Sequence, residues 1–185
     1  MSAPAAGAVF CGSQPGRRPA YVAAARGLGE LLARRGIGTV FGGGHVGMMG
    51  AVADAALAAG GTVVGVIPTH LVQPEHAHRG LTELVIVDSM HTRKRTMADR
   101  ADAFVVLPGG FGTFDEMFEM ATWLQLGLER KPVGVLNVDG YFDRLLDFLR
   151  HAADEGFIRP QHRELLLVDD DPGRLLDRLA ARAAS

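Results

Sequence analysis

Short runs of β-branched and other apolar residues alternate along this chain with longer stretches in which apolar positions recur at helical spacing. The short runs fall at residues 8–11, 39–41, 62–67, 83–87, 103–107, 132–138 and 165–168. The first three each run directly into glycine or proline. Continuous apolar runs of this length are what a strand buried on both faces requires, so they predict a parallel sheet. Between them, residues 19–35, 48–59, 90–101, 114–126, 141–155 and 172–183 predict helices, with Pro19 suited to a first turn and Gly36 to a C-terminal stop.

Strict strand–helix alternation predicts an α/β fold: a single doubly wound, Rossmann-like domain whose parallel sheet of about six to seven strands is flanked by helices through right-handed crossovers. No linker, repeat or low-complexity stretch interrupts it. One domain is expected over residues 1–185, with its core over about 8–168. The longest irregular connection, residues 68–80, is expected to border the site, because long loops in compact domains are commonly functional.

Composition sharpens this picture at one point. Of 185 residues, 24 are glycine, close to twice the usual share of about 7%. With 48% hydrophobic and 22% charged residues the balance is that of a globular chain. The net charge of −2 provides no field for a nucleic acid or an anionic membrane. No apolar run approaches the roughly 18 residues that span a bilayer, and a cytoplasmic location is expected. Cys11 is the single cysteine, which excludes an internal disulfide and a multi-cysteine zinc site.

In open α/β sheets ligands bind beyond the carboxyl ends of the strands, and both glycine-dense loops fall there. The first, Gly42-Gly43-Gly44-His45-Val46-Gly47, formally matches G-x-G-x-x-G. The next strand ends Ile67-Pro68-Thr69 without the ribose-binding carboxylate that a dinucleotide site places there, which disfavours NAD. The loop reads either as a nucleotide-contacting turn or as a tight turn that needs positive φ and close helix-to-strand packing. No P-loop motif exists.

The second loop, Pro108-Gly109-Gly110-Phe111-Gly112-Thr113, leads from a strand into a helix. Glycines let backbone N–H groups close on a phosphate, and the helix dipole favours the anion. The structural alternative is a capping box with Thr113 at the N-cap and Glu116 three residues on. Asp115, Glu116 and Glu119 are expected in the first two helical turns, where acidic residues commonly complement the dipole. Arg93 and Lys94 open the preceding helix on the same edge. Arg93 is expected to share a face with Met97, and Lys94 to point elsewhere. His76, His78 and His91 lack metal-ligand spacing, so no metal is expected. Met48, Met49, Met117, Met120 and Trp123 are expected in core or subunit contact.

Together, Gly42-Gly43-Gly44…Gly47-Met48-Met49-Gly50, Met90-His91-x-Arg93-Lys94, Pro108-Gly109-Gly110-x-Gly112-Thr113-x-x-Glu116 and Lys131-Pro132-Val133-Gly134-x-Leu136-Asn137 resemble the LONELY GUY family, often labelled lysine decarboxylases. The resemblance implies hydrolysis of the N-glycosidic bond of an N6-substituted AMP, a cytokinin riboside 5′-monophosphate, to free base and ribose 5-phosphate. It implies Arg93 and Glu116 as catalytic residues, Gly109, Gly110, Gly112 and Thr113 as the phosphate loop, and Glu75, Lys94 and Thr122 as further substrate contacts. Asp115 replaces the first of the family's two adjacent glutamates, which shortens any contact there by one methylene. Gly43, Gly44, Asp115 and Ser13 complete the substrate-binding candidates. No cofactor is implied, and the partners expected are a nucleoside monophosphate and a second copy of the chain in a homodimer. Two other functions stay open at this point: a hydrolase of plain AMP or nucleoside monophosphates generally, and a noncatalytic nucleotide or molybdenum-cofactor carrier. A pyridoxal phosphate decarboxylase needs a Schiff-base lysine. Only Lys94, among arginines, and Lys131, before a strand, are available.

Overall fold

The computed structural model describes residues 5–72 and 77–184, so Glu75 and His76 lie outside the described residues. Seven strands are present: β1 (Ala6–Phe10), β2 (Gly38–Phe41), β3 (Val63–Pro68), β4 (Glu83–Val87), β5 (Ala103–Val106), β6 (Val133–Leu136) and β7 (Leu166–Asp169). All pair in parallel in the order β4-β3-β2-β1-β5-β6-β7. The helices are α1 (Pro19–Arg34), α2 (Gly47–Ala58), α3 (Met90–Asp99), α4 (Phe111–Gln125), α5 (Asp143–Asp154) and α6 (Pro172–Ala183).

The period-two alternation of the central strands builds a core on each face of the sheet. Val9 and Val105 point to one side, where Leu28 and Leu32 of α1, Met48 and Val52 of α2 and Leu175 and Leu179 of α6 cover them. Ala8, Phe10, Phe104 and Val106 point to the other, against Met97 of α3, Met117 and Met120 of α4 and the α5 side chains Leu145 and Leu146. Met48, Met117 and Met120 are thus core, as expected from their helical spacing. Among the described residues no helix is long and apolar enough to cross a membrane.

Every predicted strand and helix is present, most with ends displaced by one or two residues. The start of α4 differs in a way that matters. The helix begins at Phe111, three residues before the predicted start, because Gly110, in extended conformation, serves as its N-cap and Gly112, expected in the loop, is helical. Thr113 therefore lies inside the first turn and forms no capping box. The first turn holds no acidic residue. Asp115 and Glu116 fall in the second turn and Glu119 in the third, so neither capping nor dipole complementation accounts for these carboxylates.

The chain winds outward from β1 through β4, then returns through α3 to β5 on the other side of β1. This reversal opens a crevice at the carboxyl ends of β1 and β5. The Gly12 N–H donates to the Pro108 carbonyl across it at 3.0 Å.

Candidate active site at the sheet reversal

The end of β5 delivers its loop straight into α4. Gly110 caps that helix without any side-chain hydrogen bond, so the leading N–H groups of α4 stay open to a ligand. A Cβ built on Gly110 or Gly112 would meet nothing within 4 Å, which leaves clear approach on this side. Thr113 is buried at the floor of the loop. An uncapped helix start with small residues around it is an anion cradle.

Arg93 and Glu116 meet beside this cradle. The Arg93 guanidinium donates from Nε to the Val66 carbonyl at 3.0 Å and from Nη2 to the Gly42 carbonyl at 3.2 Å. Its Nη1 lies 3.5 Å from Glu116 Oε1, with only 12% and 8% of the two side chains exposed. Burial pushes the Glu116 carboxyl up to about 7, and the Arg93 charge offsets part of that rise. A carboxyl that titrates near neutrality is suited to proton transfer.

Lys94 departs from expectation. It turns to the same helix as Arg93: its ammonium sits 3.0 Å from Asp115 Oδ2 and 2.9 Å from Glu119 Oε2, and it is almost fully buried. The two adjacent side chains thus meet different carboxylates of α4, Arg93 taking Glu116 and Lys94 taking Asp115 and Glu119 on either side of it in sequence. Lys131 is also engaged, donating to the Ala98 carbonyl at 2.7 Å and lying 3.6 Å from Glu129. Neither amine stands free for a Schiff base, against a decarboxylase reading.

The first glycine loop closes the opposite wall. Gly47 has a φ of 61°, and a Cβ there would collide with the Ser13 carbonyl, so this position needs glycine for its turn and its packing. Ser13 itself is exposed between the two glycine loops. Gly43 accepts from the His78 N–H at 2.9 Å, and Gly44 bridges Ala77, which ties residues 77–80 to the site wall. His78 is held by both ring nitrogens: Nε2 pairs with Asp54 at 2.8 Å while Nδ1 accepts from the Gly80 N–H at 3.1 Å.

Thr122 is not gathered into this crevice. It lies about two turns beyond Asp115 on α4, donates to the Phe118 carbonyl at 2.7 Å, and lines a separate apolar groove between α4 and α5. Two neighbours escaped the sequence reading. Tyr141, in the turn after β6, donates its hydroxyl to the Gly109 carbonyl of the phosphate loop. Cys11, at the end of β1, is buried close enough to Glu116 that burial and that carboxylate together hold its thiol well above the usual range. Their place at the carboxyl edge was the available signal.

Fold and crevice together define a doubly wound, Rossmann-like α/β protein with a buried Arg93–Glu116 pair and an uncapped helix start at its sheet reversal. Residues 49–179 match the family model described as "Possible lysine decarboxylase", and the chain belongs to that family. A cytokinin riboside 5′-monophosphate phosphoribohydrolase of Rhodococcoides fascians is 51% identical over 164 residues, covering 88% of this chain and 83% of the relative. The Arabidopsis thaliana enzyme of the same description, LOG7, is 48% identical over 171 residues, covering 92% and 79%. Among solved structures, the molybdenum cofactor carrier protein of Chlamydomonas reinhardtii superposes with a TM-score of 0.72 at 22% identity, over 97% of this chain and 98% of that one. At that identity the likeness speaks to fold alone.

Proposed function

We infer that this protein is a cytokinin riboside 5′-monophosphate phosphoribohydrolase, an N-glycosyl hydrolase that splits an N6-substituted AMP into free base and ribose 5-phosphate. Relatives with that activity in their names match at 51% and 48% identity over most of the chain. The observation that carries the chemistry is the buried Arg93–Glu116 pair beside an uncapped helix start. A carrier needs the cradle but has no use for a carboxyl held near neutrality.

In the proposed reaction the open N–H groups of α4 hold the 5′-phosphate, with Gly109, Gly110, Gly112 and Thr113 shaping the cradle. Orientation of this kind lowers the barrier by fixing the ribose against the reacting groups. The bond from C1′ to the base nitrogen breaks, its electron pair leaves with the base, and the ribose gains oxocarbenium character. Glu116 as carboxylate stabilises that charge and takes a proton from the water that attacks C1′; that proton then passes to the nitrogen of the departing base, which leaves neutral and returns Glu116 to its ionised form. Arg93 stabilises the negative charge developing on the departing base. Lys94 and Asp115, paired at the entrance, contact substrate in this reading, as do Ser13, Gly43, Gly44 and Glu75. Chromatography of bases released from isopentenyladenosine monophosphate and from AMP tests it. Preferential release from the N6-substituted nucleotide is expected; equal release reduces the activity to a general one, and no release from either leaves a carrier.

A homodimer completes the reading. The groove beside Thr122, about 750 Å³ and lined by Phe118, Leu146, Leu149 and Ile158, is apolar and sits on the same helix as the catalytic carboxylate. A second copy seated there brings Thr122 to a neighbouring site, which reconciles its expected substrate contact with its position outside the crevice. A chain with a single, buried cysteine suits the cytoplasm.

A further inference from the structure

The first glycine of the first loop sits against a charged side chain. Gly42 has no positive φ, so its backbone accepts any residue. What forbids a side chain is the occupant of the space. A Cβ on Gly42 would lie well inside contact distance of Arg93 Nη2, 3.2 Å from Arg93 Cζ and 3.2 Å from Met49 Sδ. A terminal arginine nitrogen usually swings aside at little cost. This one is held at Nε by Val66, at Nη2 by the Gly42 carbonyl and at Nη1 by the charge of Glu116, with little of the side chain exposed.

We propose that Gly42 is a positioning residue for catalysis: its missing side chain is the seat of the Arg93 guanidinium, and its carbonyl fixes that guanidinium against Glu116. The inference rests on the role given to Arg93 above. A methyl group at position 42 displaces Nη2 from its carbonyl, and because Nε stays tethered to Val66 the fork pivots and Nη1 leaves Glu116. The loop then does two separate jobs. Gly47 turns the chain, and Gly42 makes room for the arginine that α3 sends across two strand ends.

The consequence extends to the carboxyl. Glu116 faces Arg93 and Lys94 from α3, Asp115 and Glu119 from its own helix, and Cys11 from the end of β1. Arg93 is the largest of the charges that favour its ionised form. Withdrawing Nη1 therefore moves the Glu116 titration upward while the other groups stay in place.

A double-mutant cycle of wild type, Gly42→Ala, Arg93→Ala and the double variant tests the proposal by thermal midpoint and by base release from isopentenyladenosine monophosphate. Gly42→Ala alone is expected to lower the midpoint by several degrees. In the Arg93→Ala background the same change is expected to cost far less, because only the flexible Met49 Sδ at 3.2 Å then has to give. In kcat, Gly42→Ala is expected to lose at least tenfold with KM changed less than threefold, and the double variant to be no slower than Arg93→Ala. The acid limb of the Gly42→Ala rate profile is expected to move up in pH. Equal loss of midpoint in both backgrounds, or wild-type kcat and pH profile in Gly42→Ala, overturns the proposal. The thermal arm reads the seat without turnover. An inactive wild type therefore defeats the proposed reaction while the cycle still decides the packing relation, and a Gly42→Ala chain too unstable to assay is still compared through the double variant.

Discussion

The hydroxyl of Tyr141 donates to the carbonyl of Gly109, a residue 32 positions earlier in the chain. Tyr141 is itself fixed by edge contacts with Tyr21 and Phe142 at ring separations of 5.5 Å and 4.8 Å. The turn after β6 thus holds the β5–α4 loop, the proposed phosphate loop, through its main chain. Tyr141→Phe keeps the ring contacts and removes only the donor. Steady-state kinetics are expected to show KM for a nucleoside 5′-monophosphate raised by roughly three- to tenfold, the worth of about one hydrogen bond, with kcat little changed. An unchanged KM separates Tyr141 from phosphate binding.

Glu116→Gln is expected to exchange activity for stability. Its carboxyl titrates near 7 in the folded protein against an ordinary 4.5. The folded state therefore keeps a proton that the unfolded chain releases between those values. That contribution to stability is complete below pH 4.5 and lost as the pH rises through 7. Glutamine does not ionise, so at pH 8 the variant is expected to exceed wild type by about 3 kcal/mol, and at pH 4 to match it. Urea unfolding at the two pH values measures the difference. Base release is expected to fall by about 10²- to 10⁴-fold.

The same carboxyl sets the pH dependence of the wild type. Acting as a base, Glu116 must be ionised, so kcat/KM is expected to rise with pH and level off above about 7. A profile that falls through this range makes Glu116 the acid instead.

Lys94 neutralises two carboxylates and helps keep Glu116 ionised. Lys94→Met leaves Asp115 and Glu119 facing each other without a cation. With Asp115 half exposed, the expected cost is about 1–3 kcal/mol, less than for a wholly buried pair. The rise in kcat/KM is expected to shift to higher pH, because every remaining charge on α4 opposes ionisation. Denaturant melts and a pH–rate series check both halves.

A charge in the α4–α5 groove tests the assembly. Phe118→Glu places a carboxylate among Leu146, Leu149 and Ile158. Analytical ultracentrifugation is expected to show a dimer for wild type and a monomer for the variant, with base release reduced if Thr122 serves a partner's site. A monomeric wild type removes the homodimer.

Much of the fold and the edge carrying the site were legible in the pattern of apolar runs, because buried strands and helix periodicity leave a local signature. The glycine clusters marked both site loops for the same reason. What the pattern could not carry was direction in space. Lys94 adjoins Arg93 in sequence, and only the packing of α3 on α4 turns it toward Asp115 and Glu119. The start of α4 differs from the pattern because Phe111-Gly112 carries loop composition, yet the chain turns helical from Phe111 onward behind an extended Gly110. Tyr141 was missed because its partner is a main-chain carbonyl, and carbonyls have no letter in a sequence.

The parallel pairing of β2 with β3 sets Phe41 opposite Gly65, so Gly42 and Val66, whose carbonyls hold Arg93, are the next rung of the same ladder. The spacing of adjacent strands, about 4.8 Å, is therefore the gauge that the guanidinium fits. A single-residue deletion within β2 or β3 would retract one of those carbonyls and present the neighbouring N–H in its place, a donor where the arginine needs an acceptor. Outer loops of this fold can change length at little cost, whereas a change of length in β2 or β3 would disturb the arginine seat however well the remaining core absorbed it.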